Sequence, residues 1–257
     1  MYGMFLAGTL PVGGKLGGSM EYHQNYIAVD IETTGLDAKT EKIIEIGAIR
    51  VVDGQETAQF HAMVNPHRKL DARIVELTGI TDAMVEDAPD IGDIIGEFMD
   101  FCGELPLLGH HIIFDFSFLK RAAVNQKLTF ERSGIDTLRL CRVFMPAEHK
   151  KNLAAACEFY KIDRQGAHRA LGDARDAHHL FQALICQAKE EHKELFVPKP
   201  LNYKVKRAQP ASKKQKEDLQ ELVKYHRIEL PVQIDYLSRS EASRIKDKII
   251  SQFGRMK

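Results

Sequence analysis

Cysteine is scarce and scattered in this chain. Cys102, Cys141, Cys157 and Cys186 form no C-x-x-C pair, which argues against a zinc site or a disulfide framework and fits a reducing cytoplasm. Net charge is missing too, with 36 basic side chains against 36 acidic ones. So is an uninterrupted apolar run of membrane length. The opening "MYGMFLAGTLPVGGKLGGS" is Gly-rich and apolar, but it has no basic n-region and is broken by Pro11, Gly13 and Gly14, so neither a signal peptide nor a membrane span is expected. Met20 directly precedes the first patterned segment. Residues 1–20 are therefore expected to be a disordered leader, either an upstream start or an expression remnant, outside the fold.

What is present suits one substantial core plus an appendage: 257 residues, 44% hydrophobic and 28% charged. The zero net charge hides an asymmetry. From Lys199 onward fifteen Lys and Arg face seven Asp and Glu, a net of +8, which leaves −8 for the part before it. Residues 199–216, "KPLNYKVKRAQPASKKQK", carry seven positive charges and no acid. Such a run is ordinarily a solvated linker, and a polyanionic substrate would make it a binding patch.

Three strand-like runs open the patterned region: "YIAVDIE" at 26–32, "IIEIGAIRVV" at 43–52 and "TAQFHAMV" at 57–64. Asp53-Gly54 between the second and third is a short-hairpin signal, so these runs predict an antiparallel meander. Helix and strand then alternate. Helical spacing runs from Ile91 to Cys102, followed by a short strand "LPLLGH", a helix through "FSFLKRAAVN" and a strand or extended piece around "GIDTLRL". A helix capped by Asn152 and a last one from about Ala170 to Lys189 complete the series. A meander followed by βαβα units predicts an α/β mixed sheet flanked by helices.

In "VDIETTGLD", Asp30 and Glu32 lie two apart, so a strand puts both on one side while Val29 and Ile31 fill the other. Two like charges so close repel unless a cation lies between them, and an all-oxygen donor set suits Mg²⁺ or Mn²⁺. Taken alone, the D-x-E pair reads as a solvated strand end. Further acids change that reading. Asp115 in "GHHIIFDFSFL" stands where an apolar run enters a helix, and in "GAHRALGDARDA" His168 precedes Asp173 by five residues, with Gly166 as a break before it. Asp115 could be a helix N-cap and Asp173 a solvated helix charge; it is their occurrence together and in this order that counts.

These stretches, "DIETTG" with "IIEIGAI", "GHHIIFDFSFL" and "HRALGDA", resemble the three motifs of the DEDD 3′-to-5′ exonucleases, in the DnaQ-like branch that uses a histidine (DEDDh). The resemblance covers residues 26 to about 186 and is greatest to the proofreading ε subunit of bacterial DNA polymerase III and the exonuclease segment of PolC-type polymerases. It implies an RNase H-like fold, in agreement with the meander and βαβα pattern. It also implies that Asp30, Glu32, Asp115 and Asp173 ligate two divalent cations, Mg²⁺ or Mn²⁺, with His168 as general base. An imidazole, ordinarily titrating near pH 6.5, can take a proton from water at neutral pH. By the same resemblance Thr33, Thr34 and Gly35 let backbone and hydroxyls approach the terminal nucleotide, and Leu36 packs on its base. Gly35 as a plain turn glycine and Leu36 as a core residue remain open. Where the family usually has Asn after "GH", this chain has His111, a departure that bears on substrate handling more than on metal binding. Glu45 is expected to be structural, and His61, His67, His178 and His179 are expected to be surface or packing residues.

The expected organisation is a leader at 1–20, an exonuclease domain at 21–195, a basic Pro-containing linker at 196–211 and a small two-helix module at 212–257. The two helices open with capping boxes, Ser212-x-x-Gln215 and Ser238-x-x-Glu241. They are expected to pack on each other through "ELPVQIDYL" and on a partner or the main domain. The expected function is removal of nucleoside monophosphates from the 3′ end of DNA, in proofreading or repair. The expected partners are single-stranded or frayed nucleic acid and, through the C-terminal module, a DNA polymerase or other replication protein. RNA 3′-end trimming and a non-catalytic nucleic-acid or polymerase-binding scaffold are the alternatives.

Overall fold

The computed structural model describes residues 22–164 and 168–256, so the expected leader and Gly166 lie outside the described residues. The strands are β1 (Tyr26–Thr33), β2 (Ile43–Val52), β3 (Gln55–Met63), β4 (Leu107–Gly109), β5 (Ser133–Asp136) and β6 (Lys199–Pro200). The helices are α1 (Ala72–Thr78), α2 (Asp82–Val85), α3 (Ile91–Cys102), α4 (Ile113–Asn125), α5 (Thr137–Phe144), α6 (Leu153–Phe159), α7 (Ala170–Gln187), α8 (Lys213–His226) and α9 (Arg239–Phe253). The strands form one sheet in the order β3-β2-β1-β4-β5-β6. The meander is antiparallel, β1, β4 and β5 run parallel, and β6 returns antiparallel on β5.

Strand β1 has a packed layer on each side, which is why it is apolar without interruption from Tyr26 to Val29. Ile27, Val29 and Ile31 face Phe98 of α3 and Phe116 and Leu119 of α4. Tyr26 and Ala28 face the other way, toward Leu180, Phe181 and Leu184 of α7. By the same alternation Asp30 and Glu32 emerge on the α7 side, at the carboxyl end of the strand. The β2–β3 turn has positive φ at both Asp53 (51°) and Gly54 (75°), the conformation that two-residue hairpins favour.

The stretch "GIDTLRL", expected as a strand or extended piece, divides: its first half is strand and its second half helix. Gly134–Asp136 complete β5, and the Asp136 side chain accepts from Leu138 N (2.9 Å), capping the start of α5. A single cap therefore switches the chain from strand to helix. The short helices α1 and α2 were likewise not expected from periodicity; α1 is bounded by an Asp71 cap and by Gly79 in the left-handed conformation.

Both capping boxes form as expected, at Ser212/Gln215 on α8 and Ser238/Glu241 on α9. Leu219, Leu222, Leu237, Ala242 and Ile249 close a small core between the two helices. This pair rests on the main body rather than standing apart. Lys42 and Arg68 both reach Glu241 (3.1 and 3.3 Å), Gln233 N donates to His67 O (2.9 Å), and the His67 ring stacks on Tyr236 at 3.3 Å. The segment before α8 is fastened as well. Beyond β6, Leu201 N donates to Arg132 O (2.9 Å), and Leu201 and Tyr203 pack against the α3–α4 core.

Candidate active site

Three elements meet at the carboxyl end of β1. Odd-numbered amides of this strand point toward β4, as Ile27 N shows by donating to Pro106 O (2.9 Å). Strand β4 ends at Gly109, so farther along β1 these donors need another partner. Asp115, in the first turn of α4, supplies it: its Oδ1 accepts from Ile31 N at 3.1 Å. The stretch "HHIIF" thus brings a buried carboxylate to β1 in the place a longer β4 would have taken.

Helix α7 delivers the remaining acid. Its N-cap residue, Arg169, makes no side-chain cap, and Glu45 on β2 does that work from across the sheet, accepting from Ala170 N at 3.0 Å. Arg169 and His61 also hold Glu45, each at 2.7 Å. Burial pushes the Glu45 carboxyl up, but the hydrogen bonds from Arg169, His61 and Ala170 outweigh it and keep the group below its ordinary range. Gly47 lies opposite Asp30 in the ladder. A Cβ there would collide with the backbone of Ala170 and Leu171, so only glycine lets α7 begin flush on the sheet. Glu45 is therefore structural, as expected, and Gly47 shares its task. Neither His61's partner nor the role of Gly47 shows in local pattern, because each contact spans more than a hundred residues or crosses between strands.

The result is a carboxylate cluster. Asp30, Glu32 and Asp173 each offer an oxygen, all within 4.8 Å of one another. Asp115 stands beside this trio. Burial, followed by the charges of Asp115, Asp173 and Glu32, holds the Asp30 carboxyl well above the usual range, and burial does the same for Asp115. Glu32 is pushed up to about 7, by burial first and then by Asp173 and Glu45. An all-oxygen set of crowded, partly desolvated carboxylates is what a hard divalent cation requires, so the residues fit the expected metal.

A neighbouring cation was not foreseen from the sequence. Arg164 reaches across to α7, with Nε on Asp176 (2.6 Å) and Nη2 on Asp173. Burial raises Asp173, and Arg164 works against that rise. The Asp173-x-x-Asp176 spacing puts both acids on one helical face and was the available signal.

His168 is exposed in the turn before α7, with φ 61°. His111 is exposed too, with φ 72°, and its amide donates to Asp136 Oδ1 at 2.9 Å. The left-handed region favours Asn, Asp and His, which explains how His can stand where the family usually has Asn. In the β1–β2 loop the hydroxyls are engaged in shaping the turn. Thr33 Oγ1 donates to Gly35 O and Thr34 Oγ1 to Glu41 Oε2, both at 2.7 Å. Gly35 has Glu41 Cγ 2.8 Å from where its Cβ would lie, so it is a close-approach glycine. Leu36 is 87% exposed, which removes the core reading for that residue.

The exonuclease family model matches residues 27–181, the whole span that carries these side chains. The chain belongs to the exonuclease family. PolC-type DNA polymerase III of Bacillus subtilis is 38% identical over 171 residues, covering 65% of this chain and 12% of that protein. The Staphylococcus aureus counterpart is 31% identical over 218 residues, 82% of this chain and 15% of that protein. The chain thus spans roughly an eighth of the length of the curated relatives it matches. Among solved structures, exonuclease X in complex with 5′ overhanging duplex DNA is 25% identical with a TM-score of 0.52, covering 67% of this chain and 99% of that one. Escherichia coli exonuclease I in complex with a dT13 oligonucleotide shares the fold, with a TM-score of 0.54 at 16% identity over 66% of this chain and 42% of that one. The sheet and its flanking helices are the RNase H-like arrangement of these exonucleases. Among the described residues no helix is long and apolar enough to cross a membrane.

The raised carboxyls of this exonuclease site predict a pH signature. A carboxyl whose pKa is higher folded than unfolded contributes stability that is complete below its unfolded value and is lost as pH climbs through the folded one. For Glu32 that window runs from 4.5 to about 7. In EDTA, thermal melting of the wild type should therefore lose ground to Glu32→Gln as pH rises across the window. A constant difference between the two proteins would refute the raised Glu32.

Proposed function

We propose that this chain is a metal-dependent 3′-to-5′ exonuclease that releases nucleoside monophosphates from the 3′ end of DNA. The observation that carries the reading is the cluster of Asp30, Glu32 and Asp173 oxygens within 4.8 Å, with Asp115 beside it, assembled from the three family motifs. These four carboxylates would hold two Mg²⁺ or Mn²⁺ ions, which supply charge stabilisation for the attacking and leaving oxygens and an activated water. His168, exposed at the entrance to α7, would accept the proton of the attacking water. Leu36 would pack on the terminal base from the β1–β2 loop, whose shape Thr33, Thr34 and Gly35 maintain. His111 would border the nucleotide from the β4–α4 turn.

DNA is favoured over RNA because the Bacillus subtilis and Staphylococcus aureus relatives, 38% and 31% identical, are DNA polymerases. Their nature also supports action beside a replicative polymerase, in proofreading or repair. A reducing cytoplasm suits the four cysteines, all of which are free. Filled positions at all five expected catalytic residues weigh against a non-catalytic scaffold. The test is hydrolysis of 5′-labelled DNA and matched RNA strands with Mg²⁺ or Mn²⁺ against EDTA. Stepwise shortening from the 3′ end of DNA, abolished by EDTA, is expected. Faster trimming of RNA would reassign the substrate, and no cleavage of either strand with any metal would leave the scaffold.

A further inference from the structure

An open groove of about 1040 Å³ lies between α4, the fastened segment 203–209 and the first turns of α9. Its charge is one-sided. Arg121 comes from α4, Lys204, Lys206 and Arg207 from the segment, and Arg239 and Arg244 from α9. Among the described residues none of these six has a carboxylate within salt-bridge distance. The one acid in the lining, Glu131, is taken by Lys120 at 2.7 Å. Glu241, two residues beyond Arg239, is already held by Lys42 and Arg68. In a chain of zero net charge, such a concentration of unpaired cations is a property of the fold and not of composition.

The groove is built rather than formed by a wandering tail. Ala208 N donates to Asn125 Oδ1 (2.9 Å) and Arg239 N to Gln209 O (2.8 Å), while Leu201 and Tyr203 are anchored in the core. Exposed Lys204 and Lys206 alternate with the partly buried Tyr203 and Val205, so both cations face outward. Holding them in place in the free protein lowers the ordering cost of a ligand. Two features tie the groove to the active site. Lys39 in its lining belongs to the β1–β2 loop, three residues from Leu36. Arg121 is six residues beyond Asp115 on α4, about 9 Å along the helix axis. Cations spread along such a path suit a chain of phosphates better than a single small anion.

We propose that this groove holds the phosphodiester backbone of the nucleic-acid strand behind the 3′ end, without regard to base sequence. The proposal rests on the exonuclease reading above, and its test separates the two. The full chain and its K204Q/K206Q/R207Q variant are compared in two assays: binding of a long single-stranded DNA oligonucleotide in EDTA across a salt series, and Mg²⁺-dependent cleavage of a trinucleotide too short to span the groove. Expected is about ten-fold or greater weakening of long-strand binding, equal for different base compositions. The log-log salt slope should flatten by about 2, or roughly 0.7 for each of three lost contacts, with trinucleotide cleavage unchanged.

Unchanged affinity and slope would overturn the proposal and point to an acidic protein segment as occupant. If binding and trinucleotide cleavage both fall, the charge-preserving variant K204R/K206R decides. Wild-type binding and slope in that variant support the groove, and a loss there assigns these residues to packing and overturns it. A wild type that cleaves nothing, yet loses salt-dependent binding on substitution, supports the groove and removes the exonuclease reading instead.

Discussion

Asp30→Asn is expected to lower kcat by at least about 10⁴-fold while raising the melting temperature of the metal-free protein. The two effects share one cause. Asp30 is crowded by its neighbours: burial and the charges of Asp115, Asp173 and Glu32 all push its carboxyl toward the neutral form. In EDTA the substitution removes one member of a repelling cluster and keeps the side-chain shape, so the fold gains. With Mg²⁺ present it removes a central ligand, and stabilisation worth several kcal/mol at the reacting phosphate goes with it. A typical buried substitution moves stability and activity down together, so the opposite signs are diagnostic. The measurements are single-turnover cleavage with Mg²⁺ and thermal melting in EDTA. Activity within ten-fold of wild type would remove Asp30 from the metal site.

His168→Asn is expected to reduce kcat by about 10²- to 10⁴-fold with KM little changed, the usual worth of a positioned general base. Asparagine is the informative replacement. His168 occupies the left-handed region, which Asn tolerates and Ala does not, so the Asn variant keeps the turn that leads into α7 and cannot act as the base. His168→Ala should show the same kinetic loss with about 1 kcal/mol of added destabilisation from the strained φ. A loss carried wholly in KM would make His168 a phosphate contact. Full activity of His168→Asn would place the proton acceptor elsewhere.

Much of this site was legible before any tertiary structure. The two-residue period of a strand put Asp30 and Glu32 on one side, and the structure finds them there beside Asp173. The short turn at Asp53-Gly54, the helix from Ile91 to Cys102 and both capping boxes were likewise readable, because each depends on residues within a few positions of one another. The misses have one character. "GIDTLRL" reads as strand or extended piece throughout until the Asp136 side chain caps a helix inside it, and α1 and α2 are too short to establish a period.

By itself, the sequence determined the identity of the acids, the histidine, the α/β class and the order of the elements, since periodicity, caps and motifs are encoded locally. Only the tertiary structure decided how those acids meet. Glu45 caps a helix that starts 125 residues later, Gly47 admits that helix to the sheet, Asp115 takes the place of a missing β4 residue, and Arg164 closes on Asp173 and Asp176. The same holds for the basic groove, whose walls come from residues 39, 121, 204–207 and 239–244. A charge run in sequence shows how many cations there are. Whether they line one groove depends on packing between distant segments, where the burial gained must exceed the entropy of closing the loops between them, and no local pattern records that balance.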